Sequence, residues 1–150
     1  MSHMDTIIRA YSPSTDTASL SDIWLQASIL AHAFIGEERL LEQQGLIETE
    51  YLPNAETWVA CRGDQLVGFI SLIDSFIGGL FVAPDQQGHG IGRALIAHAL
   101  SLKGTLMLEV YTGNEQAMRF YEALGFREQS RRATDASGLP FENAQMLLAA

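Results

Sequence analysis

The chain has 150 residues, 47% of them hydrophobic, and a net charge of -9 from 9 basic and 18 acidic side chains. That size suits one compact domain able to bury a sheet under helices. The acidic balance argues against nucleic-acid backbones and anionic membranes, which are bound by neutralising phosphate with Lys and Arg, and is compatible with an amine or other cationic substrate.

No apolar run approaches the roughly 20 residues that span a bilayer, and Met1-Ser2-His3-Met4 lacks the basic-then-apolar order of a signal peptide. The expectation is a soluble, cytoplasmic protein with one domain over residues 5–150, residues 1–4 reading as the remnant of a tag. The single cysteine, Cys61, cannot form an internal disulfide and sits in the apolar stretch Trp58-Val59-Ala60-Cys61, so it reads as core.

Ile7 and Ile8 suggest a short strand, after which Pro13 to Asp16 supply turn and capping chemistry. From Ser19 to Phe34, Leu20, Ile23, Trp24, Ala27, Leu30 and Ala31 recur at helical spacing. Leu40, Leu41 and Ile47 predict a second helix that ends before Pro53. Residues 57–62 and 65–73 form a hairpin across Gly63-Asp64. Another strand, Phe76 to Val82, stops at Pro84-Asp85. Ile91 to Leu102 traces a helix ending at Lys103-Gly104, followed by the strand Leu106 to Val110, a helix from Asn114 to Leu124, and final strands at Phe126 onward and Gln145 to Leu148. The order predicts a mixed α/β domain. The last strand suits either pairing within the subunit or pairing across a homodimer.

Gln87-Gly88-His89-Gly90-Ile91-Gly92 lies between a strand and a helix. Glycines let a backbone approach a ligand, and a helix start offers unpaired N–H groups and positive dipole, so the turn suits an anion. Arg93 adds a cation at the rim. A P-loop would need Lys then Ser or Thr after the last glycine, where Arg93-Ala94 stands. A dinucleotide fingerprint fits Gly88, Gly90 and Glu109, but its third glycine position holds Arg93, and residues 83–87 separate strand from glycines.

The turn, preceded by Leu80-Phe81-Val82 and a Pro, resembles the Arg/Gln-x-x-Gly-x-Gly/Ala signature of the GNAT family of N-acetyltransferases. Asn114-Glu115-Gln116-Ala117-Met118-Arg119-Phe120-Tyr121, followed by Leu124-Gly125-Phe126, resembles that family's Asn-x-x-Ala-x-x-Phe-Tyr…Gly-Phe stretch. The two lie in family order. With His32-Ala33-Phe34-Ile35 and the short length, the likeness is greatest to small bacterial members.

The resemblance implies a GNAT fold, with a central mixed sheet whose strands splay and helices on both sides, and acetyl-coenzyme A as acetyl donor to a primary amine on a small molecule, amino acid or peptide terminus. It implies that the pantetheine arm pairs with backbone at Leu80, Phe81 and Val82, where one N–H also serves as an oxyanion donor. The pyrophosphate falls on the turn residues Gln87, Gly88, His89, Gly90, Ile91, Gly92 and Arg93, with Asn114 and Tyr121 completing the cofactor contacts; the His89 side chain points to solvent. Tyr121 stands where the family places the acid that protonates the leaving thiolate, a task suited to a phenol of pKa near 10.

The base is less determined. Other members carry a Glu on the strand before the signature, but here that stretch is Phe76-Ile77-Gly78-Gly79. Glu109, which resembles the glutamate of the ribosomal-protein N-terminal acetyltransferases, then competes with Asp74, His32, Tyr111 and an ordered water. A histidine with pKa near 6.5 suits a base or an acceptor contact. Trp24, His32, Phe34, Glu37, Glu38, Asp74 and Tyr111 are the expected acceptor surroundings. The missing carboxylate also keeps open a coenzyme A-binding regulatory module without turnover, and a dehydrogenase is a distant third.

Overall fold

The structure is a computed structural model that describes residues 6–31, 35–136 and 138–150. Seven strands form one sheet: β1 (Thr6–Ala10), β2 (Glu56–Arg62), β3 (Gln65–Ile73), β4 (Phe76–Val82), β5 (Thr105–Tyr111), β6 (Arg127–Arg132) and β7 (Asn143–Ala149). Their spatial order is β1-β2-β3-β4-β5-β7-β6. Every neighbouring pair is antiparallel except β4 and β5. The fold is the mixed α/β arrangement expected, and no described helix is long and apolar enough to cross a membrane.

Helices α1 (Pro13–Ala31), α2 (Glu37–Leu46) and the short α3 (Leu52–Asn54) precede the hairpin, while α4 (Ile91–Lys103) and α5 (Glu115–Ala123) flank β5 in sequence. Side chains alternate across a strand, so β5 sends Leu106, Leu108 and Val110 into the core shared with Ile91, Leu95 and Ala99 of α4. The other face holds Leu20, Ile23 and Trp24 of α1 with Leu40, Val59 and Phe69. Being covered on both sides, β3 has six consecutive buried residues, which is why Val67 to Leu72 reads as an apolar run rather than an alternation.

Two boundaries differ from expectation. First, α1 begins at Pro13 instead of Ser19, because proline is preorganised for a first helical position and leaves no N–H to satisfy. Second, the helical path does not end before Pro53. Ile47–Tyr51 is a π-helical turn in which the Leu52 N–H donates to the Ile47 carbonyl, and this wider turn accommodates a ring that would strike the carbonyl four residues back in a regular α-helix. Of the two pairings open to the last strand, the one within the subunit is found: β7 pairs on one side with β5 and on the other with β6, so both of its edges are occupied. The outer edge belongs to β6, whose fully exposed, charged sequence Arg-Glu-Gln-Ser-Arg-Arg discourages further pairing.

The start of α1 is fixed by one ion pair. Asp16 is 1% exposed; it accepts from both Arg9 guanidinium nitrogens at 2.7 and 2.9 Å and from the Ser12 N–H at 2.8 Å. The hydrogen bonds from Arg9, aided by that N–H and opposed by burial, lower its pKa from 3.8 to about 2. A carboxylate with a lowered folded-state pKa contributes stability above its unfolded pKa and loses it as pH falls through the folded value. Asp16→Asn should therefore cost at most about 2 kcal/mol at neutral pH, since Arg9 stays partly in water. Urea unfolding at pH 7 and pH 2.5 checks this: the gap between wild type and variant should narrow at the lower pH.

Candidate functional site

The central feature of the site is the place where two strands separate. β3 and β4 stay paired as far as Gly68 opposite Val82, but β4 and β5 pair only at Phe76 with Met107 and Ile77 with Leu108. Gly78 is the extra residue of a bulge between Ile77 and Gly79, and a bulge bends its strand. Beyond it, Gly79 to Val82 turn one row of backbone groups toward a cleft of about 670 Å³ rather than toward β5. Leu80, Phe81 and Val82 form one wall, Leu108 to Tyr111 the other, with α1 on one side of the sheet and the starts of α4 and α5 on the other.

The glycine turn closes one end. The Ala83 N–H is anchored to the Val67 carbonyl at 2.8 Å, Pro84–Gln86 makes a single 3₁₀ turn, and the Gln87 amide reaches back to the Val82 carbonyl at 3.5 Å. Gly90 then takes φ 77°, the left-handed conformation that costs an L side chain about 1–2 kcal/mol, and becomes the N-cap of α4 without any side-chain cap. The first helical bond runs from the Ala94 N–H to the Gly90 carbonyl at 3.0 Å. The N–H groups of Ile91, Gly92 and Arg93 thus lack acceptors within the helix. A Cβ built at Gly88 or Gly90 meets nothing within 4 Å, so the space over these amides is open. With Arg93 as the lone cation lining the cleft among the described residues, the cradle fits a pyrophosphate.

The second motif locks onto the first. The Asn114 side chain caps α5 by accepting from the Ala117 N–H at 3.1 Å. Phe120 packs so close to Gly92 that a Cβ there would lie 3.1 Å from its ring. Tyr121, next in the helix, lines the cleft and contacts Phe120 and Phe126 edge-on at 5.3 and 5.4 Å. Burial pushes its pKa above the ordinary value of 10, so the phenol stays protonated at neutral pH, as a proton donor must.

The other residues expected at the site divide. Trp24 lines the cleft and meets Phe81 edge-on at 6.2 Å. Glu109 is the sole carboxylate lining it among the described residues, with Arg132 of β6 at 3.4 Å. Tyr111 also lines it, but its hydroxyl donates to Asp135 at 3.0 Å. Burial, then the neighbouring carboxylate, raises its pKa to about 12. That proton is held, which makes Tyr111 a wall and not a base. Asp74 has φ 54° in the tight turn from β3 to β4, before Phe76 and therefore at the paired end of β4, and it does not line the cleft. Glu37 and Glu38 are exposed in the first turn of α2, and His89 is exposed on the glycine turn; none of the three lines the cleft. His32 and Phe34 lie outside the described residues. Ser28 and Gln43, which the sequence alone does not single out, do line it. Both sit at ordinary helical positions with no motif to mark them.

A second cavity, about 810 Å³, lies around the start of α1 and is lined by Asp22, Asp64 and Asp85 along with the Arg9–Asp16 pair and Cys61. It is larger, yet its carboxylates make it the wrong sign for a pyrophosphate.

Residues 53–128 match the family model described as an acetyltransferase (GNAT) domain. The chain is 38% identical over 120 residues to the peptidyl-lysine N-acetyltransferase YjaB of Escherichia coli, covering 79% of this chain and 81% of that protein. The chain belongs to the GNAT family of acetyltransferases. It is also 33% identical over 127 residues to the peptidyl-lysine N-acetyltransferase YiaC of the same bacterium, covering 84% of this chain and 87% of YiaC. The solution structure of apo YjaB superposes with a TM-score of 0.88 at 34% identity, covering 98% of this chain and all of that one. This GNAT protein is accordingly an N-acetyltransferase that draws its acetyl group from acetyl-coenzyme A.

Proposed function

We propose that this GNAT enzyme acetylates the side-chain amine of lysine in peptides or proteins, with Glu109 as base and Tyr121 as acid. Acetyl-coenzyme A, when bound, supplies a thioester whose acetyl carbon is open to attack by an amine. The chain's own residues do the rest. Gly88, Gly90 and the amides of Ile91 to Arg93 hold the pyrophosphate, and the free edge of Gly79 to Val82 orients the arm as an added strand would.

The observation that carries the acceptor assignment is Glu109, the sole carboxylate among the described residues that line the cleft, whose wall includes the apolar surfaces of Trp24, Ala27, Leu30, Ile35 and Phe81. An alkyl stem ending in an ammonium matches that wall: the stem lies on apolar side chains and the charge meets Glu109. Glu109 takes the amine's proton, directly or through one water, and leaves a neutral nucleophile. Tyr121, which also lines the cleft, gives its proton to the departing sulfur. The relatives' acceptor, peptidyl lysine, supports the same reading.

A peptide with one internal lysine and a free amino terminus tests it. After incubation with acetyl-coenzyme A, fragment-ion mass spectrometry should find the acetyl group on the lysine side chain; acetylation confined to the terminal amine would overturn the assignment. Glu109→Gln should lower kcat/KM for the lysine peptide about 10- to 100-fold while leaving the KM for acetyl-coenzyme A unchanged. Steady-state kinetics in both substrates reads the split.

A further inference from the structure

Helix α1 carries two buried serines, Ser21 and Ser28, each 1% exposed. Seven residues is about two turns, so they share a face. Ser21 donates to Glu48 in the π-helical turn. Thr17, in the same helix, bonds back to the Pro13 carbonyl at 2.9 Å, the usual way a helical hydroxyl satisfies itself. Ser28 does neither: its Oγ has no hydrogen-bond partner among the described residues.

An unpaired buried hydroxyl destabilises the fold, and alanine is a better helix former at the same position. Stability thus gives no reason for serine here. Location does, because Ser28 lines the cleft along with Trp24, Ala27 and Leu30 of the same helix, Ile35, and Gln43 of α2. Rotation about the Cα–Cβ bond between staggered positions redirects the hydroxyl without moving the helix.

Resting on the lysine-acceptor reading, we propose that Ser28 determines acceptor specificity by donating a hydrogen bond to a backbone amide carbonyl of the peptide that carries the lysine. The charged residues that line the cleft, among those described, are Glu109 and, on the glycine turn, Arg93, so the site around Ser28 holds no charge of its own. It therefore selects a neutral carbonyl near the amine's stem, separate from the contact that Glu109 makes with the amine itself.

Two acceptors test the assignment, Nα-acetyl-L-lysine methylamide and n-pentylamine, which share the amine and stem but differ in the amides. Wild-type enzyme should prefer the lysine amide. Ser28→Ala should lose about tenfold in kcat/KM for the lysine amide, the size of one neutral hydrogen bond, with no change for pentylamine or in the KM for acetyl-coenzyme A. Its melting temperature should equal or exceed that of wild type, which separates a lost contact from a damaged fold. An equal loss for both acceptors, or no loss for either, overturns the role of Ser28 while leaving the lysine reading intact. Failure of wild type to acetylate either acceptor overturns the lysine reading and this assignment with it.

Discussion

Tyr121→Phe should retain the fold and acetyl-coenzyme A binding while losing about 10²- to 10³-fold in kcat. The reason is that ring and hydroxyl do different work. The ring packs edge-on between Phe120 and Phe126, and phenylalanine preserves those contacts. The hydroxyl lines the cleft in a setting that raises its pKa by burial, which keeps the proton on the oxygen at neutral pH, available to the sulfur as it departs. Removing it forces the leaving sulfur to depart unprotonated or to borrow a proton from water. Thermal melts, acetyl-coenzyme A titration and steady-state kinetics together read the three quantities; unchanged kcat would remove Tyr121 from the mechanism.

Gly90→Val should raise the KM for acetyl-coenzyme A by about 10- to 100-fold and cost about 1–2 kcal/mol in stability. Valine at φ 77° is strained, so the N-cap relaxes and the N–H groups of Ile91, Gly92 and Arg93 lose their common aim. Its side chain also enters the open space above the turn, where the pyrophosphate would lie. Gly104 provides the control, since it takes φ 78° at the other end of the same helix. Gly104→Ala should lose comparable stability, read by urea unfolding, with no change in that KM. If both substitutions raise it equally, the effect comes from general loosening of α4 and not from the cradle.

Local chemistry makes much of the fold legible. Gly63-Asp64 marks the β2–β3 hairpin, Asn114 caps α5 through Ala117, and the apolar run of β3 reflects a strand covered on both faces. The early start of α1 is obscured because Pro13 to Ala18 has no apolar repeat; it is held by Arg9 and Asp16, a contact between separate elements. The π-helical turn before Pro53 is equally hidden, since proline alone signals only an end. The cofactor turn is readable because its glycines do backbone work that other residues do poorly. The acceptor side is not. Ser28 and Gln43 carry no spacing signal, and the Asp135 that holds the Tyr111 proton comes from a polar loop whose path over the sheet no local pattern specifies. Asp74, Glu37 and Glu38 are attractive for their charge, yet strand pairing and helix orientation put them outside the cleft.

The most direct measurement is a backbone-amide chemical-shift titration with acetyl-coenzyme A, because two cavities of similar size compete on this molecule. Saturable changes should concentrate at Leu80 to Val82 and at Gly88 to Arg93, with Tyr121 following, and the amides of Arg9, Asp22, Cys61 and Asp64 should stay still. Changes centred on that second group, or no saturable changes at millimolar ligand, would contradict the assignment of the strand splay and glycine turn as the cofactor site.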